Sequence, residues 1–129
     1  MVYPCPCCGY MSFCEPPGSY EICEICFWED DLVQLAFPDF AGGANKCSLI
    51  EAQDNFPKYG ACEQRVRPHV RPATAEDVRD AFWRPLNPSL DRYLHWKNLE
   101  DHDSWQKVKE RPNLCVYYWR PDYWLVSGA

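Results

Sequence analysis

The sequence predicts a small α+β fold: a metal-stapled N-terminal module, a capped central helix, further short helices and an aromatic C-terminal β-hairpin. Three observations predict it. Cys5 with Cys8, then Cys23 with Cys26, form two C-x-x-C pairs. Ser48-Leu49-Ile50-Glu51 opens an apolar run with a helix-start signature. Leu114 to Trp119 and Tyr123 to Val126 are aromatic runs joined by Arg120-Pro121-Asp122, the pattern of two strands and a turn.

The cysteine pairs carry the strongest chemistry. Two residues between sulfurs let one tight turn aim both thiolates at one ion, and two such turns complete a tetrahedral four-sulfur site. Cys5, Cys8, Cys23 and Cys26 are therefore the expected ligands. Gly9 sits where the chain swings away behind the ion and suits a positive φ; Phe27 holds the matching place in the second turn. Zinc suits a closed thiolate tetrahedron, and iron takes the same geometry. A disulfide framework is the competing reading of nine cysteines. Nine is odd, however, and Met1-Val2-Tyr3-Pro4 does not open a basic-then-apolar leader. A reducing, cytoplasmic setting is expected, where paired C-x-x-C favours metal. Cys7, Cys14, Cys47, Cys62 and Cys115 are left over, and buried small apolar thiols are their default.

Charge is unevenly placed. Residues 1–47 hold seven acids and one base, whereas residues 48–129 hold twelve of each, so the net charge of -6 lies wholly in the first third. That balance disfavours nucleic acid as a partner, because phosphate binding rests on Lys and Arg. It favours a basic protein surface. No apolar run approaches membrane-spanning length. Six Trp, eight Tyr and six Phe exceed what a core of this size needs, so some are expected at an interface. The metal module is expected over residues 1–30, with residues 31–129 packed on it as one α+β domain.

Along the chain, Tyr10 to Cys14 and Tyr20 to Cys23 read as paired strands around Pro16-Pro17-Gly18-Ser19. Glu29 to Lys46 reads as an irregular loop. Ser48 and Glu51 form a capping box for a helix with Leu49, Ala52, Phe56 and Tyr59 on one face, ended or distorted by Pro57. Residues 61–73 read as extended. Thr74-Ala75-Glu76-Asp77 signals a short helix closed by Pro85, and Ser89 to Leu99 and Ser104 to Glu110 show helical spacing. The C-terminal hairpin is expected to dock on the capped helix at Leu49 and Phe56.

Other groups carry weaker signals. Glu29-Asp30-Asp31 could hold a cation or act as acid and base, though a solvated acidic turn is the plainer reading. Arg65, Arg67 and Arg71 could grip phosphates or simply form ion pairs. His69, His95 and His102 show no ligand spacing. A four-thiolate site is closed and cannot activate water, so no enzyme activity is expected.

Cys5-Pro6-Cys7-Cys8-Gly9-Tyr10, Gly18-Ser19-Tyr20-Glu21-Ile22-Cys23, Cys26-Phe27-Trp28-Glu29-Asp30-Asp31, Gly42-Gly43-Ala44-Asn45 and Ser48-Leu49 through Glu51-Ala52 together resemble the cysteine-rich CPCC family. The resemblance covers residues 3 to about 62. It is looser at Trp83-Arg84-Pro85-Leu86 and Tyr117-Tyr118-Trp119-Arg120-Pro121, which are similar to longer members. It implies a zinc-ribbon-like module in a small bacterial protein. Because members often occur near polymorphic toxins, it also implies an immunity protein that binds a basic toxin domain. Trp28, Glu29, Asp30 and Asp31 are the expected partner contacts. A nucleic-acid-binding zinc ribbon using the arginines, and an enzyme using Glu29, Asp30 and Asp31, are the alternatives.

Overall fold

A computed structural model describes residues 2–111 and 113–127. Four α-helices are found among them: α1, Leu32–Ala36; α2, Leu49–Tyr59; α3, Leu99–Val108; and α4, Trp124–Ser127, with a 3-10 helix at Gln64–His69 between α2 and α3. Among the described residues extended pairing is limited to isolated bridges, so the fold has little strand beside its few helices.

The capped helix forms as its sequence dictates. The Glu51 N–H donates to the Ser48 hydroxyl and the Ser48 N–H to the Glu51 carboxylate, at 3.1 and 2.9 Å. These bonds satisfy N–H groups that helix starts leave free. Leu49 and Ala52 are fully buried, and Phe56 and Tyr59 half-buried. Pro57 is accommodated in the last turns, and Gly60, at φ 69°, closes the helix with its N–H on the Phe56 carbonyl.

Other expected elements differ. The Tyr10–Cys14 and Tyr20–Cys23 segments do not pair with each other. Phe13 instead bridges Tyr3, and Ile22 bridges Glu29, so each C-x-x-C turn is the tip of its own small loop. The Glu21 carboxylate joins the two, accepting the Cys14 and Glu15 N–H groups. Within Glu29–Lys46, α1 appears where a loop was expected; Asp31 caps it by accepting from the Val33 and Gln34 N–H groups. The expected extended stretch 61–73 contains the 3-10 helix.

Thr74 to Pro85 forms no helix. The Asp77 carboxylate turns back to the Thr74 N–H at 2.7 Å and pairs with Arg71, while Val78 and Arg79 are drawn into bonding with Met11 and Tyr10. Ser89 to Asn98 is likewise irregular; Leu90, supposedly on an apolar face, is 84% exposed. The real helix starts later, with the Asn98 side chain capping α3.

The C-terminal hairpin is replaced by a single parallel bridge, Cys115 to Tyr123, followed by α4. The reason lies in the aromatics. Tyr117, Tyr118 and Trp119 are all buried, whereas a strand would turn alternate side chains to opposite faces. The chain coils so that all three enter the core. It meets α2 at Gln53, whose amide donates to the Tyr118 hydroxyl at 2.8 Å, and its aromatics share one core cluster with Leu49, against which Phe56 packs.

Candidate metal centre

The two C-x-x-C turns share one backbone design. The Cys5 N–H donates to the Tyr10 carbonyl and the Cys23 N–H to the Trp28 carbonyl, at 2.8 and 2.9 Å. Gly9 and Phe27 each return an N–H to the first cysteine of their turn, at 2.7 and 2.8 Å. Both sit at positive φ, 80° and 71°. Phe27 thus adopts a left-handed conformation that costs a side-chain-bearing residue about 1–2 kcal/mol, and the surrounding turn holds it there.

These turns bring four sulfurs together. The ligand atoms of Cys5, Cys8, Cys23 and Cys26 all lie within 4.8 Å of one another, and all four residues are buried. Cys5 to Cys26 is 3.5 Å and Cys8 to Cys23 is 3.8 Å. A tetrahedron with metal–sulfur bonds of ~2.3 Å has sulfur–sulfur edges of ~3.8 Å, whereas a disulfide needs ~2.05 Å. The spacing fits an ion and not a bridge. Four cysteines in this arrangement could hold one metal ion.

The surroundings favour thiolate at Cys23. Its pKa is drawn far below the ordinary thiol range by hydrogen bonds from Cys26, Cys5 and Cys8, with a further one from Ser12; the Ser12 hydroxyl donates to its sulfur at 3.1 Å. Burial is the largest influence on Cys5 and Cys26 and raises both. Burial also pushes Cys7 up to about 11. Cys7 lies inside the first turn but outside the four-sulfur group.

Residues distant in sequence pin the first turn. The Pro6 carbonyl accepts from the Gln53 amide at 2.9 Å and the Trp83 indole at 3.0 Å. The Cys8 carbonyl accepts from Arg79 Nε at 2.8 Å, and the Arg79 guanidinium stacks over the rings of Tyr10 and Trp83. Sequence reasoning gave Gln53, Arg79 and Ser12 no role and noted Trp83 only within the looser resemblance; nothing in local spacing marks them.

The expected partner contacts do not form an exposed patch. Trp28 is fully buried, Asp30 is 2% exposed and Asp31 is 6% exposed. Asp30 accepts from the Gly18 and Ser19 N–H groups and the Ser19 hydroxyl. Burial raises its pKa against those bonds. Asp31 caps α1 and also accepts from the Ala44 N–H at 2.9 Å. Glu29 is half-buried, with both backbone groups held by the Asn45 side chain. Asp30 and Asp31 are therefore two separate structural anchors, and the run does not converge on one carboxylate site. The arginines also disperse: Arg65 pairs with Glu63, and Arg71 with Glu24 and Asp77.

The two C-x-x-C turns, the acidic run and the capped helix all fall in a segment shared with a known group of proteins. Residues 3–77 match the family described as Cysteine-rich CPCC. The chain belongs to this family. The match takes in all four clustered cysteines but stops short of Arg79 and Trp83, which brace the family segment from outside it. No curated protein matches the chain. Among the described residues, no helix is long and apolar enough to cross a membrane.

Proposed function

We propose that this member of the cysteine-rich CPCC family is a zinc-stapled, zinc-ribbon-like protein-binding module without activity of its own. In this reading one structural zinc sits on Cys5, Cys8, Cys23 and Cys26. Residues 1–30 form the metal module, and the remainder packs on it as one domain. The partner is a basic toxin domain that the chain neutralises by direct binding, as an immunity protein in a bacterial cytoplasm.

The observation that carries the partner reading is charge placement: seven acids against one base in residues 1–47. Two of the seven, Asp30 and Asp31, are buried, so the outward charge rests on the exposed Glu15 and Asp39, on Glu24, which Arg71 partly offsets, and on the half-buried Glu21 and Glu29. A thiolate tetrahedron around a divalent ion adds about two further negative charges. Such a surface accelerates encounter with a basic partner and repels nucleic acid. The arginines that would serve a nucleic-acid reading are largely paired with acids.

The test is co-expression with a neighbouring toxin-like open reading frame, followed by copurification and a growth assay. A stoichiometric complex that abolishes toxicity supports the proposal. RNA or DNA binding with a steep salt dependence, and no protein complex, replaces it with the nucleic-acid reading.

A further inference from the structure

We infer that the chain has a small-molecule site, independent of any toxin binding, for an aromatic carboxylate, in the cleft between α3 and the C-terminal segment. The cleft has a volume of about 190 Å³. Leu32, Trp105 and Trp124 line it, with Val108 and Leu114 beside them. Lys109 and Arg111 are its charged lining residues, and no acidic side chain lines it among the described residues.

Three features choose the ligand class. First, size: an apolar cavity of ~150 Å³ holds a benzene ring, so this cleft takes one ring with a short chain. Second, chemistry: indole and branched aliphatic walls suit an aromatic or aliphatic body. Third, charge: in a chain of net charge -6, this cleft gathers two exposed cations. Neither forms an ion pair among the described residues. They stand at the C-terminal end of α3, where the helix offers about half a negative charge. Two full positive charges outweigh that, leaving a site electropositive enough for one carboxylate.

The probe is 4-phenylbutyrate, with 4-phenylbutyramide as the neutral control, titrated into the full metal-loaded chain. Indole N–H shifts and calorimetry follow binding. The expected result is saturable one-to-one binding of the acid with Kd below ~1 mM, and binding of the amide at least ~10-fold weaker. Lys109→Glu with Arg111→Glu should erase the preference for the acid with only a small loss of melting temperature, because both side chains are exposed and new charge at the negative end of α3 costs little there. Val108→Trp should fill the cleft and abolish both. Absence of saturable binding, equal binding of acid and amide, or an acid preference untouched by the charge reversal overturns the inference. Should Val108→Trp fail to fold, the charge-reversal pair and the amide control still decide it.

Discussion

The indole of Trp83 lies against Gly9 so closely that a Cβ added there would meet its Cδ2 at 2.4 Å. Gly9 is also at φ 80°, so two independent constraints demand glycine. The indole cannot simply move away, because its N–H is bonded to the Pro6 carbonyl. Gly9→Ala should cost about 2–4 kcal/mol through strain and overpacking. A double-mutant cycle with Trp83→Ala separates the two contributions, since removing the ring leaves only the conformational cost. If Gly9→Ala costs the same with and without the ring, the packing argument fails.

The metal centre makes a sharper prediction because Cys7 provides an internal control. Serine at Cys5, Cys8, Cys23 or Cys26 should each abolish stoichiometric binding of one ion. Cys7→Ser should retain the ion, with at most a packing loss. Chelation should unfold the N-terminal module, because the ion's binding energy is folding energy. Native mass spectrometry gives the stoichiometry, and cobalt substitution reads the tetrahedral sulfur environment. Loss of the ion on changing Cys7 would mean that the wrong sulfur has been assigned to the first turn.

The four-sulfur cluster was legible in sequence because its determinants are local: two residues separate the sulfurs in each turn, and backbone geometry does the rest. The capping box of α2 was legible for the same reason. What was hidden depends on partners far along the chain. Asp30 and Asp31 look like surface charge until Ser19 and Ala44 are seen to bond them. Thr74 to Asp77 carries a helix-start signal, but the same carboxylate closes a turn onto the Thr74 N–H and binds Arg71, while the Met11 N–H takes the Val78 carbonyl. Helical spacing over Ser89 to Leu99 misled because one apolar residue, Leu94, is buried there while Leu90 is not. The true start of α3 did have a signal, Asn98 followed by Glu100 and Asp101, an N-cap with acids in the first turn.

Asp80 links the metal module to the C-terminal segment. Its N–H bonds the Gly9 carbonyl, and its carboxylate accepts from Arg120 at 2.6 Å and the Trp119 indole at 3.1 Å. Burial pushes its pKa up, but Arg120, the Phe82 N–H and Trp119 together outweigh burial and leave it below the ordinary carboxylate range. A depressed folded pKa contributes stability above the unfolded value, and that contribution is lost as pH falls through the folded one. Asp80→Asn should therefore cost about 2 kcal/mol at neutral pH, with the gap from the parent narrowing below pH ~4. Acid should also release any ion held by the four thiolates, so only the difference between the two proteins is informative. A gap unchanged from pH 7 to pH 3 rules out this ionic contribution.

The tail should be part of the folding unit. Tyr118 receives the Gln53 amide, and its own hydroxyl donates to the Arg84 carbonyl, so it ties α2 to the segment that carries Trp83. Removing the chain from Pro112 onward should destabilise the whole protein; Pro112 itself lies outside the described residues. Tyr118→Phe keeps the ring and deletes only the hydroxyl, at a cost of about 1–3 kcal/mol. A truncated protein that melts at the parent temperature would show the tail to be an independent arm.

Partner binding is best tested at acids whose side chains do not support the fold. Lysine at Asp30 or Asp31 should unfold the module, because it removes buried acceptors and introduces a buried charge. Those variants cannot report on recognition. Glu15 and Glu24 are exposed, and the Glu24 pair with Arg71 is a surface contact of 3.1 Å, the kind that adds little to stability. Glu15→Lys with Glu24→Lys should leave the melting temperature nearly unchanged while slowing association with a basic toxin domain by about tenfold at low salt. The difference should shrink as ionic strength rises and the Debye length falls to ~8 Å at physiological salt. Dissociation should change much less, since rim charges steer encounter more than they hold the complex. Stopped-flow association at two salt concentrations supplies the measurement. Equal association rates for parent and variant would remove the acidic face from the recognition mechanism, even if a complex forms.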